Sequence, residues 1–521
     1  MTPVAAKPPP PSVSTPARLA LAIVGTLVAA ALLWHFLLYL RHAVGAIRYP
    51  FELDYGEGIV WQQALLIPGP HMYGDITHYP FIVFHYPPFY HLVVRALAAT
   101  GLDMLVAGRT VSFVSALAIG AIVTSLAFRT APRSVGRTAR IVGSAIGGLT
   151  AFCYDPVVTW SPLMRVDMLA VALDFLAVLS AVTSSRHPWR LYAGFALFLL
   201  AMFTKQTSIA APLATFPVML LIDRRRTLTA SAAVLVIGLV LLLLLERRTG
   251  GGFLRHILLY NLNRYRFDLL VDGITHQWHQ AIFLLFTLGG IVSLWRRLAA
   301  ERLWPNRHAL IRDAAESTDT RCLLVFTLYS IITTLLLVMM GKSGASENYL
   351  IEGMCVWSVI IGAFAASTTD RAVTGARKAV APLSIVLGWL LVGQMLAMPT
   401  ANGQYWFTTP ASLRALEALR SRIADLPGPV LSDDMVLLLR AGKTVPWEPA
   451  IFAELASQGR WNQSLIIDRI ESHAFAMIVT QGQPGTDEYD PRHTPQVTRA
   501  IAASYPRTEQ VAGRTLHLPP D

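Results

Sequence analysis

Long apolar runs separated by short basic loops occupy most of the chain. Runs near the length needed to cross a bilayer, roughly 17 to 25 residues, fall near residues 19–40, 104–128, 139–155, 166–184, 190–205, 207–222, 227–245, 280–296, 322–340, 349–367 and 380–397. The pattern predicts a polytopic α-helical membrane protein with about eleven transmembrane helices. The segment PPFYHLVVRALAATG (87–101) is shorter, opens with two prolines and carries Arg95, so it reads as an interfacial or re-entrant helix. After Ala397 the pattern changes. Residues 400–521 alternate short β-like runs (PVLSDD, AFAMIVTQ, RTLHLP) with helical ones (ASLRALEALRSRIADL, PAIFAELASQGRW, TPQVTRAIAASY), which predicts a small soluble α/β domain. Residues 1–17 are Pro-rich and are expected to be a disordered cytoplasmic tail. Residues 18–399 then form the transmembrane domain, with a first outer loop at 41–103.

Composition agrees with this division. Of 521 residues, 54% are hydrophobic and 14% charged, well below the roughly 25% charged residues of an ordinary soluble domain. The net charge of +11 does not point to nucleic acid, because Lys and Arg cluster between apolar runs, where they orient helices. With the N-terminus inside and 87–101 not crossing, the basic loops 129–140, 185–190, 223–226, 296–313 and 370–378 all face the cytoplasm. The loop 246–278 is the exception: it places five arginines on the outer face, as a site for an anionic ligand would. Cys153, Cys322 and Cys355 lie in or at the ends of apolar runs without C-x-x-C spacing, so no disulfide framework is indicated.

The same topology collects the chemistry outside. FELDYGEGIVWQQ (51–63) carries Glu52, Asp54 and Glu57 just after the first span. If a helix starts at Tyr55, Asp54 is its N-cap and Glu57 its third residue, close to a capping box. The same carboxylates near the bilayer surface could instead take a proton from an attacking hydroxyl. His71, His78, His85 and His91 fall within about twenty residues, but no H-E-x-x-H pattern accompanies them. No cofactor is assigned, and a divalent metal is the lesser reading. GKSGASENY (341–349) is not a phosphate loop, since Leu336 stands where that motif needs its first glycine. Its Lys342, Glu347 and Asn348 read either as a polar loop or as binding groups for phosphate or sugar hydroxyls. Arg165 with Asp167 reads as a helix-start ion pair, and Lys205 as a snorkelling side chain, unless both serve a ligand.

DYGEG after the first span, then HYPPFYHLVVRAL, GRTVSFVSALAIGAIV and MRVDMLAVAL, resemble the C-type glycosyltransferase superfamily. The likeness is to protein O-mannosyltransferases, the lipid A aminoarabinose transferase and rhizobial galacturonosyltransferase-like proteins (family 39-like), and covers roughly residues 19–400. It implies an inverting glycosyltransferase. The donor would be a polyprenyl-phosphate sugar and the acceptor a lipid, glycan or protein hydroxyl, met on the outer face of a bacterial inner membrane. The catalytic base would be Asp54, with Glu57 the second choice, since the two acids are split by Tyr55 and Gly56. Arg109, Arg165, Lys205, Arg264 and Lys342 are the candidate clamps on the donor phosphate. His85, Tyr86, Asp167, Glu347 and Asn348 are candidate substrate contacts. The competing readings are a transporter or flippase of a lipid-linked or anionic substrate, and a catalytically silent scaffold. Transporters hold ionisable groups inside their spans, and among these runs Asp174 is the main such residue.

Overall fold

A computed structural model describes residues 15–277, 280–301, 306–374, 380–397 and 409–520. Nearly all of the Pro-rich tail and most of the junction before Pro410 therefore lie outside the described residues.

Each of the eleven apolar runs is helical: α1 (Thr15–Arg48), α4 (Met104–Thr130), α5 (Arg137–Thr150), α7 (Asp167–Val182), α8 (Trp189–Thr204), α9 (Ala210–Ile222), α10 (Arg224–Arg248), α13 (Ala281–Ala300), α15 (Thr318–Leu336), α16 (Ile351–Thr374) and α17 (Val380–Ala397). Six of these regions are long and apolar enough to cross a membrane by length and composition. Between them lie α2 (Tyr55–Leu66), α3 (Phe89–Ala98), α6 (Asp155–Trp160), α11 (Gly252–Ile257), α12 (Phe267–Thr275) and α14 (Arg307–Glu316). With ten residues, α3 is about 15 Å long, half of a hydrocarbon core. The bundle centres on α4, α5, α7 and α16. Small residues set its closest crossing: a Cβ on Gly147 would lie 2.6 Å from the Ser358 carbonyl oxygen, and one on Gly143 2.3 Å from the Ala366 nitrogen. Without a hydrophobic driving force between helices in lipid, such backbone approach is how they gain packing energy.

The stretch FLRHILLYNLNRYRFDLL (253–270) is not one continuous helix. It folds as α11, a short 3-10 turn at Leu259–Asn261, and α12. The glycines at 250 and 251 have φ of +57° and +85°, which turn the chain between α10 and α11.

The C-terminal residues form a four-stranded sheet of order β1-β2-β4-β3, with β1 (Val430–Ser432) parallel to β2 (Met477–Gln481) and antiparallel pairs elsewhere. β4 is Arg514–Leu518 and β3 is Arg507–Val511. The three β-like runs became strands. The fourth strand, RTEQV, has no hydrophobic alternation, because it is an edge strand with little of it buried. The helices Met435–Arg440 and Ser464–Glu471 were also not anticipated.

This region does not stand apart from residues 41–103. Ile76, Phe81 and Val83 share a core with Trp447, Phe452 and Trp461, while Phe51 packs with Leu416, Leu419 and Leu437. Phe81 N–H donates to the Pro446 carbonyl at 2.9 Å, and the Trp461 indole donates to Ile76 at 3.0 Å. Arg440 forks onto Asp103 at 2.9 and 3.1 Å.

Candidate active site

The stretch DYGEG becomes the first turn of α2, and each of its five residues has a separate task. Asp54 is the N-cap: its backbone is extended, and Oδ1 accepts the Gly56 N–H at 3.1 Å. The same oxygen lies 3.0 Å from Arg165 Nη1. Gly56 leaves the room for that contact, since a Cβ there would sit 1.2 Å from Arg165 Nη1. Tyr55 turns the other way, and its hydroxyl accepts the Ala450 N–H at 3.2 Å under the Arg492 guanidinium. Gly58 admits the C-terminal region: a Cβ there would meet Met435 Cβ at 2.5 Å and the Val436 nitrogen at 2.9 Å.

Glu57 is sealed. Its side chain and that of Arg109 are both 0% exposed. Arg109 Nε and Nη2 donate to Oε1 and Oε2 at 2.7 and 2.6 Å, and the Met164 and Leu53 N–H groups fill the remaining lone pairs at 2.9 and 3.0 Å. Arg109 spends its other N–H groups on the carbonyls of Ala46, Tyr49 and Phe51, at the end of α1 and just beyond. All five guanidinium donors are committed. Burial pushes the Glu57 carboxyl up, but Arg109 and the donated N–H groups pull it further down, so it stays ionised. The geometry therefore corrects two expectations: Arg109 has no donor left for a phosphate, and Glu57 has no lone pair or access for an incoming hydroxyl. The capping-box expectation holds in part, since Glu57 reaches back to the Leu53 N–H rather than to that of Asp54.

Asp54 keeps 26% of its side chain exposed. Burial raises its carboxyl above the ordinary aspartate range, against the pull of Arg165. The Arg165 guanidinium lies 4.7 Å over the Trp160 ring, which fixes its plane. Two residues on, Asp167 opens α7. Its Oδ1 accepts from Lys205 Nζ at 2.6 Å and from Asn348 Nδ2 at 2.8 Å, while Oδ2 is buried without a hydrogen-bond partner. Lys205 also sits 4.9 Å over the Tyr349 ring. Tyr86 lies in the electrostatic field of Arg165, Asp167 and Lys205, so it belongs to the same group. Lys342, just past α15, makes no ion pair among the described residues. Burial, and then neighbouring Lys205, lower its ammonium pKa. Asp54, Tyr86, Arg165, Asp167, Lys205, Lys342 and Asn348 thus converge from five chain segments.

Other candidates stand at the edge. Glu347 accepts from Gln277 at 3.0 Å. Arg264 is drawn to the C-terminal region, where its backbone N–H donates to Glu454 at 2.8 Å and its guanidinium to the Ser457 carbonyl. His85 lies 3.5 Å from Glu448, a residue that sequence reasoning did not single out. No group of three or more His, Cys, Asp or Glu suited to a metal ion occurs among the described residues, and His91 bonds Gln63 at 3.2 Å instead. Below Asp167 on the same face of α7, Asp174 is buried with neither carboxyl oxygen hydrogen-bonded, and it interacts electrostatically with Glu352, which accepts from Tyr329 at 2.6 Å.

No family model matches the chain, and no curated protein matches it. Solved structures do. The crystal structure of ArnT from Cupriavidus metallidurans bound to undecaprenyl phosphate superposes with a TM-score of 0.55 at 15% identity, over 95% of this chain and 99% of that one. Its apo form gives 0.56 at 16% identity, over 94% and 100%. Over nearly its full length this chain has the fold of ArnT.

Proposed function

We propose that the protein is an integral-membrane inverting glycosyltransferase that moves a sugar from a polyprenyl-phosphate donor to a hydroxyl acceptor on the outer side of the membrane. The observation that carries this reading is the placement of one accessible carboxylate, Asp54, among Arg165, Lys205 and Lys342, on the fold of a protein crystallised with undecaprenyl phosphate. A phosphate ester leaves readily, so the protein must supply a base for the acceptor and positive charge for the developing phosphate.

In this reading Asp54 takes the acceptor's proton as its oxygen attacks the anomeric carbon, and the bond to the phosphate oxygen breaks on the opposite face, inverting the centre. Arg165 and Lys205 hold the phosphate and neutralise the charge it gains. Lys342 adds a further cation, one that makes no ion pair among the described residues and feels Glu454 only at longer range. His85, Tyr86 and Asn348 are the polar contacts for sugar or acceptor hydroxyls, and Asp167 holds Lys205 and Asn348 in place. Eleven crossings, an exterior C-terminal domain and the bacterial inner membrane complete the reading. Its support for sidedness is the clustering of arginines in loops on the other side.

The test is to incubate the purified protein with a panel of polyprenyl-phosphate sugars and detect released polyprenyl phosphate. Release is expected with at least one donor. Arg165→Ala or Lys205→Ala should then weaken use of that donor by about 1.5 to 3 kcal/mol, the range for a lost charged hydrogen bond. A transporter reading draws on the buried Asp174 and Glu352; movement of the intact lipid-linked sugar with no release would favour it.

A further inference from the structure

Glu52 and Tyr55 bracket Asp54, and the C-terminal region holds both of them. Arg492 is common to the two contacts. Its Nη1 donates to Gln481 Oε1 at 2.7 Å, which fixes that amide so that Gln481 Nε2 donates to Glu52 Oε1 at 3.1 Å. The other Glu52 oxygen is buried without a hydrogen-bond partner, so Gln481 supplies the one hydrogen bond to this carboxyl among the described residues. The relay does not depend on the charge of Glu52, since a carboxylate and a carboxylic acid both accept an amide N–H. On the other flank the Arg492 guanidinium lies 4.3 Å over the Tyr55 ring, whose hydroxyl accepts the Ala450 N–H at 3.2 Å.

The sheet anchors this clamp. Gln481 closes β2, its backbone N–H donates to Asp433 Oδ2 at 3.1 Å, and Asp433 follows β1 directly and lies 3.8 Å from Arg492 Nη1. The carboxyl ends of parallel strands are where an open α/β sheet takes its ligands. Here that edge faces the head of α2 in the same chain, and Gly58 leaves the room for Met435 in the helix after β1. Toward the bundle, by contrast, the Asp54 carboxylate has only the Gly56 N–H of its own turn and the contact to Arg165. Its aim is therefore set by the backbone of residues 52–56, which is pinned at Glu52 and Tyr55 by the C-terminal region and at Leu53 by Glu57.

We propose that Arg492 is a positioning residue for the transfer reaction: through Gln481 and Glu52 on one flank and Tyr55 on the other, it holds the head of α2 so that the Asp54 carboxylate points at the acceptor hydroxyl. The proposal rests on the glycosyltransferase reading for its purpose, whereas the clamp itself does not. Arg165, Lys205 and Lys342 stand on other segments, so a loosened clamp misaims the base and leaves the donor's cations in place. The loss then falls on kcat rather than on the donor KM.

Measurements on the full-length protein test it. In hydrogen exchange followed by mass spectrometry, peptides covering residues 51–58 should exchange about tenfold faster in Arg492→Ala than in wild type, with the bundle helices unchanged. Equal exchange would overturn the clamp. In the transfer assay, Arg492→Ala should lower kcat about tenfold while the donor KM stays within about twofold. Arg492→Lys, which keeps a cation over the Tyr55 ring, should recover about a third or more of the wild-type kcat. A residue that only supports folding lowers activity by the same factor in any background, so the double variant decides. Added to Asp54→Asn, Arg492→Ala should change the residual rate by less than about twofold, because it acts through the carboxylate already removed. A further tenfold loss there would overturn the positioning role. Should Arg492→Ala fold poorly, Gln481→Met cuts the link to Glu52 and leaves the β2 backbone and the Arg492–Tyr55 contact; it should lower kcat about threefold, again only when Asp54 is present. An unchanged kcat in Gln481→Met would also overturn the role. If the wild-type protein transfers no sugar at all, the reading of function fails and the positioning role with it, and the exchange rates still decide the clamp.

Discussion

Asp54 and Glu57 stand three residues apart on the first turn of one helix, each beside an arginine, and the two pairs do opposite work. The Glu57–Arg109 pair is wholly buried and every donor and lone pair in it is used. It ties α2 and α4 to the end of α1. The Asp54–Arg165 pair shares a single short contact and stays partly open. A saturated buried pair is structure, because any change leaves an uncompensated charge. An open pair with spare lone pairs can exchange a protein partner for a substrate at little cost. The difference lies in the surroundings: Glu57 receives two backbone N–H groups from separate segments, Leu53 and Met164, while Asp54 receives one from its own turn.

The largest effect should come from breaking the sealed pair. Glu57→Ala strands the Arg109 guanidinium and should cost about 3 to 5 kcal/mol of stability, read as a lowered thermal midpoint in detergent. Because the folded Glu57 pKa lies below its ordinary 4.5, the pair's contribution is complete at neutral pH and is lost only as pH falls through the lowered value. A Glu57→Ala protein of normal stability and reduced turnover would reverse the assignment of the two acids.

Asp54→Asn should leave the thermal midpoint nearly unchanged, because Asn caps a helix about as well as Asp. Transfer should fall about 100-fold or more, since the amide takes no proton. In the wild type, activity should drop as pH falls through the raised Asp54 pKa, where the base becomes protonated, and the residual activity of the variant should lack that limb. Near-normal transfer by Asp54→Asn would make the residue a cap and nothing more.

The smallest expected change sharpens the comparison. Gly56→Ala pushes the end of the Arg165 side chain aside and crowds Asp54 Oδ1, which would lie 3.1 Å from the new Cβ. It should weaken donor use by about 1.5 kcal/mol, the lower end for a charged hydrogen bond, with stability within about 0.5 kcal/mol of wild type. A Gly56→Ala protein that fails to fold would show that the open pair is structural too.

Much of this was legible in the amino-acid order. Apolar periodicity marked all eleven bundle helices, and the N-cap signal placed the start of α2 at Tyr55. Capping, hydropathy and strand alternation act over a few residues, so a single segment records them. The edge strand RTEQV escaped because only packing against β4 makes it a strand. Which acid is open and which is sealed had no local signal, since Glu57 meets its partner 52 residues away. Nor could Glu448 have been paired with His85 across 363 positions. The sequence by itself determined the bundle helices, the cap at Asp54 and the acids at the head of α2. The tertiary structure decided which charges were neutralised by distant partners and which remained for chemistry, because burial and ion pairing are properties of what surrounds a side chain.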